Sequence, residues 1–149
     1  MGRILAVSVS DSKGTRKRNV TEAQFEAGHG IAGDAHAGAW HRQVSLLASE
    51  SIAKMAEKGL DVRAGDFAEN LTTAGIELPA LPVGTELAVG DEVLLEVSQI
   101  GKECHTRCAV YFQAGDCVMP REGIFARVLR GGRVRPGDCV TVTREDNRN

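Results

Sequence analysis

The dipeptide Gly-Asp occurs five times in this chain, and each occurrence predicts a turn. Glycine adopts positive φ without strain, and an aspartate side chain can bond its own backbone. The five pairs begin at Gly33, Gly65, Gly90, Gly115 and Gly137. Because the sequence has 17 glycines and only 4 prolines, the chain turns often and mainly through glycine. This pattern favours a mostly β fold of many short strands over a few long helices.

Apolar runs between the turns predict the strands. They cover residues 2–10, 42–48, 67–73, 86–89, 92–100 and 140–143. Residues 87–93 and 134–140 repeat one pattern around their Gly-Asp pairs, which supports two similar strand turns. Cys139 lies in the strand-like stretch Asp138–Thr143 that includes the last of these segments, and its apolar neighbours predict that it is part of the core.

Two helices are predicted as well. The first has Ser49 as its N-cap and ends near Gly59. We expect its apolar stripe in the core: Ile52, Met55, Ala56 and Leu60. The second covers Ile124–Arg130 and is closed by Gly131 and Gly132. The predicted architecture is one domain over residues 1–149, a β-barrel with a few peripheral α-helices and a polar tail from about residue 144.

Composition excludes several classes of protein. A length of 149 residues, with 42% hydrophobic and 26% charged residues, suits one folded domain. A net charge of −2 and 4% aromatic residues argue against a nucleic-acid partner. No apolar stretch approaches the ~18 residues of a membrane helix, and no signal peptide is evident. We therefore expect a cytoplasmic protein with no membrane partner, whose four cysteines are thiols.

The densest group of reactive residues surrounds Cys104, which follows the predicted strand ending near Ile100. Three basic residues adjoin it in sequence: Lys102, His105 and Arg107. Cations stabilise a thiolate, so this cysteine is a candidate nucleophile, sulfur carrier or soft-metal ligand. Cys108 and Cys117 lie close by, and a Cys-x-x-x-Cys spacing with an intervening histidine also suits zinc. The simpler alternative is that these cysteines are small apolar fillers.

Other polar residues lie in the glycine-rich segment and around the second Gly-Asp pair. His29, His36 and His41, next to Asp34 and Arg42, are typical of one wall of a polar pocket. A second wall is predicted from three residues: Asp66, Glu69 and Asn70. Asn70 has an alternative role, in which it satisfies backbone groups at a turn. Lys13 with Gly14 forms either an anion-binding loop or a solvated one.

In order and combination these segments resemble the MOSC domain, named for the C-terminal domain of molybdenum cofactor sulfurase. The resemblance covers essentially the whole chain. It is carried by residues 12–15, 33–38, 41–47 and 65–72, the Gly-Asp turns and the cysteine segment after Ile100. It implies a MOSC-type β-barrel with a pocket for the pyranopterin molybdenum cofactor, or for sulfur destined for a metal centre.

The resemblance also assigns roles to residues. Cys104 matches the position of the molybdenum ligand or persulfide carrier. Cys108 and Cys117 lie outside the general pattern of the family and resemble features of a subgroup of short, stand-alone members, in which they are candidates for a second thiol of the site. Glu103 stands where the family often has proline, and an acidic neighbour raises the pKa of a thiol. The implied cofactor-binding residues are Lys13, Asp34, His36, Arg42, Glu69 and Asn70. For Arg42, a salt bridge at the start of a strand is the alternative.

The function implied is sulfur transfer in cofactor maturation, or the molybdenum-dependent reduction of N-hydroxylated compounds. Pyridoxal phosphate binding is a family-level property, and we expect no domain for it here. Sulfur or electrons would come from a partner, either a cysteine desulfurase or a separate electron donor. Molybdoenzymes or cofactor biosynthesis proteins are further expected partners. The alternative is a non-catalytic soft-metal module that binds molybdenum or zinc through its cysteines and histidines.

Overall fold

The computed structural model describes residues 2–11, 17–35, 37–40, 42–57, 64–65, 69–100 and 123–144. This part of the chain contains eleven strands, one α-helix and one short 3-10 helix. The strands are β1 Gly2–Val9, β2 Arg18–Val20, β3 Ala23–Glu26, β4 Gly30–Ile31, β5 Val44–Ala48, β6 Leu71–Ala74, β7 Glu86–Val89, β8 Val93–Ile100, β9 Ile124–Arg130, β10 Gly132–Val134 and β11 Cys139–Arg144. Helix α1 is Ser49–Glu57, and the 3-10 helix is Leu78–Ala80.

Seven of these strands close into a barrel. Their order is β11-β7-β8-β9-β5-β6-β1, and β1 pairs back with β11 through Gly2 opposite Val140 and Arg3 opposite Cys139. All neighbours are antiparallel except β5 and β6, which are parallel. Closure leaves these strands without an unpaired edge. The predicted mostly β, barrel-like fold is confirmed.

The barrel interior is filled by side chains that alternate along each strand. In β8, Val93, Leu95 and Val97 point inward and are buried, with partly exposed residues between them. Strand β5 is buried along its whole length, and Val44, Leu46 and Ala48 of its inner face contribute to the core. Each fully buried Val or Leu side chain stabilises the fold by about 1.5–3 kcal/mol.

The predicted helix over Ile124–Arg130 is wrong, because this segment is strand β9. Ile124, Ala126 and Val128 are buried in the core, whereas Arg127 and Leu129 are exposed, which is the alternation of a strand. In a run of only seven residues, the apolar positions of Ile124–Arg130 fit either a helical or a strand period, so the pattern alone is ambiguous. The strand pairs on both sides, with β5 and β8.

Helix α1 is confirmed, but its details differ from the prediction. Ser49 is the first helical residue, and its hydroxyl donates to Glu50 Oε1 rather than to a backbone N–H. Ile52 is buried as expected, whereas Ala56 is exposed. Leu60 and the side chain of Met55 lie outside the described residues.

Cys139 is exposed, which corrects its predicted place in the core. It precedes Val140 in β11, and Val140 is the residue that points into the barrel. Successive side chains of a strand face opposite sides, so Cys139 must point outward. Apolar neighbours in sequence were therefore a poor guide to its burial.

The Gly-Asp turns are confirmed wherever they are described. Gly33, Gly65, Gly90 and Gly137 have φ angles of 82°, 92°, 63° and 98°. The Gly90 turn joins β7 to β8 and packs against the Gly137 turn, since Gly90 N donates to Cys139 O at 2.9 Å. Gly115 lies outside the described residues. Within the described segments, no helix has the length and apolarity that crossing a membrane requires.

Candidate functional site

A row of side chains crosses the outer face of six neighbouring strands. Gln99 of β8 is opposite Phe125 of β9, which is opposite Ser45 of β5. Residues directly opposite one another share a face of the sheet. Hydrogen bonds continue the row through Asn70, which directly precedes β6, to Ser8 of β1 and Asn19 of β2. We call the set the transverse row: Gln99, Phe125, Ser45, Asn70, Ser8 and Asn19.

Asn70, directly before β6, links β5 and β1 at the centre of the transverse row. It is fully buried, and its Oδ1 accepts from the Ser45 backbone N–H at 2.9 Å and from Ser45 Oγ at 3.1 Å. Its Nδ2 donates to Ser8 O at 3.0 Å. These contacts are those of a residue that satisfies backbone groups, one of the two predicted roles. A role as cofactor ligand stays a prediction.

Glu69 precedes Asn70 and is also fully buried. Its Oε2 accepts a hydrogen bond of 2.9 Å from Thr72 Oγ1. Thr72 is opposite Leu47 in the parallel pair of β5 and β6. Hydrogen bonding compensates part of the cost of burying a carboxylate, so the fold holds Glu69 beside the transverse row.

Arg42 lies at the Gln99 end of the transverse row. Its Nε–H donates to Gln99 Oε1 at 3.0 Å, and its guanidinium carbon lies 5.4 Å from the Phe125 ring centroid and 6.0 Å from that of Trp40. Residues 101–122 connect β8 to β9, so Gln99 and Phe125 flank the cysteine-bearing segment in sequence. Arg42 thus contacts both strand ends between which that segment runs.

A buried ion pair lies beyond the other end of the row, and sequence reasoning missed it. Lys17 Nζ is 2.8 Å from Asp34 Oδ1, with both side chains 0% exposed. The ammonium also donates to Ser10 Oγ at 3.0 Å, and Ser10 N donates to Asp34 Oδ1 at 3.1 Å. We call Lys17, Asp34 and Ser10 the Lys17 cluster. The basic stretch before β2 was a signal for Lys17, but nothing in the sequence paired it with Asp34.

Gly65 brings the Lys17 cluster next to the transverse row. Its carbonyl accepts the Lys17 backbone N–H at 2.8 Å. A Cβ at Gly65 would lie 3.1 Å from Ser8 Oγ and 3.2 Å from Asn19 Oδ1, which are two members of the row. Glycine is needed here both for its φ of 92° and for this close approach.

The structure therefore places the described candidates on two adjoining groups of residues. Arg42, Glu69 and Asn70 lie in or beside the transverse row, and Asp34 lies in the Lys17 cluster. The other candidates are outside the described residues: Lys13, His36, Cys104, Cys108 and Cys117. Asp66 and His41 are outside them as well. His29 is exposed on a turn, and the described residues hold no group of three metal-ligating side chains.

Two cavities lie away from these residues. One, of about 680 Å³, is lined by α1 and the segment around the 3-10 helix, including Lys54 and Leu78. The other, of about 290 Å³, lies at the packed Gly-Asp turns and is lined by Asp91, Arg133 and Asp138 among others. Neither is lined by Asp34, Arg42, Glu69 or Asn70. Neither cavity therefore marks the predicted site.

The fold and this arrangement define a small closed β-barrel with buried polar groups on its outer face. A family model of the MOSC domain matches residues 33–141, and the chain belongs to that family. The family is associated with the molybdenum cofactor. No curated protein matches the chain significantly.

Solved structures of other proteins share the fold. YuaD from Bacillus subtilis superposes with a TM-score of 0.78 at 21% identity, covering 94% of each chain. YiiM from Geobacillus stearothermophilus gives a TM-score of 0.75 at 21% identity, covering 97% of this chain and 76% of that one. YiiM from Escherichia coli gives 0.69 at 19% identity, covering 97% and 71%. At such identities the likeness concerns the fold alone.

Proposed function

We propose that this chain binds the molybdenum cofactor, or a precursor of it, with the Cys104 thiolate on the metal side and Arg42 on the phosphate side. The observation that carries the proposal is the position of Arg42. This residue contacts Gln99 and Phe125, the side chains on the two strands between which the cysteine-bearing segment runs. A cation that contacts the strands at both ends of a thiol-bearing segment suits a ligand with a phosphate and a soft metal.

The donor set of Arg42 fits a phosphate group. The side chain is half-buried, and its Nε is engaged by Gln99. Among the described residues, its terminal nitrogens have no hydrogen-bond partner. A guanidinium binds phosphate through two parallel N–H groups. Lys13 and His36 add further cationic contacts in this proposal.

The buried polar residues have a different part in the proposal. Asn70 and Asp34 use their side-chain oxygens on partners within the protein, and Glu69 accepts from Thr72. These contacts fix the wall against which a ligand would lie. Asp34, Glu69 and Asn70 then contribute to cofactor binding mainly by holding the shape of that wall.

Cys104 provides the reactive group. When bound, the cofactor supplies a molybdenum centre that accepts a thiolate ligand and supports redox or sulfur chemistry. Lys102, His105 and Arg107 favour the ionised form of the thiol, which is the form that binds a metal or accepts sulfur. Cys108 and Cys117 are available as second thiols that exchange with a persulfide on Cys104.

Two activities are consistent with this site. In sulfur transfer, Cys104 receives sulfur from a cysteine desulfurase and passes it to cofactor or to a molybdoenzyme. In reduction, the protein acts on N-hydroxylated compounds with electrons from a separate donor. Persulfide on Cys104 after incubation with a desulfurase supports the first, and turnover of an N-hydroxylated compound with an added electron donor supports the second.

The test of binding is purification from a host that makes molybdenum cofactor, followed by metal and pterin analysis. We expect molybdenum with pterin in the unmodified chain and in Cys139→Ser, which removes an exposed strand thiol. We expect neither in Cys104→Ser. Retention of cofactor by Cys104→Ser would contradict the proposal. Metal without pterin would instead indicate the soft-metal module, and one zinc per chain a structural zinc site.

A further inference from the structure

Arg42 is held by contacts from three parts of the chain. Its Nε–H donates to Gln99 Oε1 at 3.0 Å, and its guanidinium carbon lies over the rings of Phe125 and Trp40. Gln99 belongs to β8 and Phe125 to β9, whereas Trp40 precedes β5. Gln99 and Trp40 each make at least one further interaction, which restricts the positions of the side chains that contact Arg42.

Among the described residues, these contacts leave the two Nη atoms of the guanidinium for a ligand. Gln99 engages the Nε–H, and the rings of Phe125 and Trp40 lie within cation–π distance of the guanidinium carbon. The two Nη atoms have no hydrogen-bond partner among the described residues. Their N–H groups lie in the guanidinium plane and can donate two parallel hydrogen bonds to one oxyanion.

An arginine side chain that is already oriented before the ligand arrives loses less conformational entropy on binding it. A free arginine side chain has wide rotamer freedom, which it loses when it binds a ligand in one geometry. A guanidinium already fixed by an amide and two rings has lost that freedom on folding, so less of the binding free energy is spent on ordering it. The contacts of Arg42 therefore lower the ordering cost of binding any anion at its guanidinium, even though Gln99 and Trp40 carry no charge.

We propose that Gln99 and Trp40 are positioning residues that orient Arg42 so that its Nη edge binds a phosphate group through two hydrogen bonds. The inference rests on the site of the proposed function and specifies its ligand chemistry. That chemistry is shared by the phosphate of the cofactor and by free phosphate. Phe125 provides the second ring, but it is only 2% exposed, so truncating it would test stability rather than orientation.

The test is calorimetric titration of the full chain with inorganic phosphate at fixed ionic strength. Arg42→Lys should weaken binding about tenfold or more, because an ammonium cannot donate in bidentate fashion. Gln99→Met and Trp40→Leu should each weaken it about threefold, and Trp40→Phe, which keeps a ring, by less than about twofold. Gln24→Met and Arg127→Lys are matched controls on the exposed surface and should bind like the unmodified chain.

A spectroscopic signal accompanies the titration. Trp40 is the only tryptophan of the chain, so its emission reports on the surroundings of Arg42. Phosphate should change this emission in the unmodified chain, and chloride at the same ionic strength should not. A merely structural role of Trp40 would lower the melting temperature of Trp40→Leu without changing its affinity for phosphate.

The outcomes separate this inference from the proposed function. Normal phosphate affinity in folded Gln99→Met and Trp40→Leu overturns the inference, as does failure of the unmodified chain to bind millimolar phosphate. Metal and pterin analysis of the same variants tests whether Arg42 binds the phosphate of the cofactor as well as free phosphate. Phosphate binding with the expected ranking, in a chain that retains no cofactor, leaves the positioning roles standing and removes the proposed function.

Discussion

At the scale of single residues, the Lys17 cluster contains a fully buried ion pair whose disruption should be costly. Lys17 and Asp34 are 0% exposed and 2.8 Å apart, so each charge depends on the other for compensation. Replacing Asp34 by Asn should leave an uncompensated buried ammonium and reduce the free energy of unfolding by about 3–5 kcal/mol. Urea unfolding measures this change.

The exposed pair of Arg18 and Asp11 is the matched control for Asp34→Asn. Their atoms are 4.0 Å apart, and both side chains are largely exposed. Asp11→Asn should change the free energy of unfolding by less than about 1 kcal/mol, because water already screens this pair. Equal effects of Asp11→Asn and Asp34→Asn would contradict the burial of Lys17.

The backbone-satisfying role of Asn70 is predictable from the sequence at this scale, whereas its partners and those of Arg42 are not. The cofactor-binding roles of both residues stay predictions. The pairing of Lys17 with Asp34, by contrast, depends on how two loops approach each other. Residue type sets what a side chain can bond, whereas the path of the backbone sets which partner it meets.

At the scale of elements, the alternation in β9 separates it from the predicted helix. Val128 points into the core, and its neighbour Leu129 is 42% exposed. Val128→Asp should cost about 3–5 kcal/mol, since it buries a carboxylate with no partner. Leu129→Asp should cost less than about 1 kcal/mol. Thermal unfolding of the two variants measures the difference, and comparable losses would argue against the strand.

Tight turns are a second feature at this scale. Gly65→Ala and Gly137→Ala both place a Cβ at positive φ, which costs about 1–2 kcal/mol. A Cβ at Gly65 would also clash with the backbone carbonyl oxygen of Lys17, whereas a Cβ at Gly137 meets nothing within 4 Å. Gly65→Ala should therefore be the more destabilising variant in denaturant melts. The reverse order would show that Gly65 does not approach β2.

Helix α1 is joined to the end of β6 by a hydrogen bond that depends on pH. The Gly75 backbone N–H donates to Glu50 Oε2 at 3.1 Å, and this bond is the largest cause that lowers the pKa of Glu50 below its ordinary value. A lowered folded-state pKa means that the stabilisation is present above the unfolded pKa and is lost as pH falls through the folded one.

Glu50→Gln tests this contact. The unmodified chain should melt at a slightly higher temperature than Glu50→Gln at neutral pH, because a charged acceptor bonds more strongly. The difference should shrink as the pH is lowered below the usual pKa of about 4.3, and disappear once Glu50 is protonated. A difference that stays constant from neutral to acid pH would contradict a role for the Glu50 charge.

For the molecule as a whole, the sequence predicted a barrel but not its order. Gly-Asp turns and apolar runs indicate many strands and predict a barrel, and the family resemblance implies the same fold. The parallel pairing of β5 with β6 and the return of β11 to β1 are long-range contacts without a local signal. The transverse row arises from strand register, so its members could not be grouped before the pairing was known.

Closure of the barrel depends on the seam between β1 and β11, whose residues are more than 130 positions apart in sequence. Arg3 is directly opposite Cys139, and both are exposed on the same face. Opposite Cβ atoms in an antiparallel pair are about 4.5–5.5 Å apart, close to the spacing of a disulfide. Arg3→Cys should therefore form a disulfide with Cys139 under mild oxidation.

This disulfide would close a loop of most of the chain, so the chain-entropy model predicts a stabilisation of up to about 5 kcal/mol. The melting temperature of Arg3→Cys should rise on oxidation and return on reduction, with the linked peptides identified by mass spectrometry. The same substitution in a Cys139→Ser background should show no rise, which separates this link from disulfides with Cys104, Cys108 or Cys117. If position 3 failed to link to Cys139, or linked with a loss of stability, the two strands would not be adjacent and the barrel would be open at this seam.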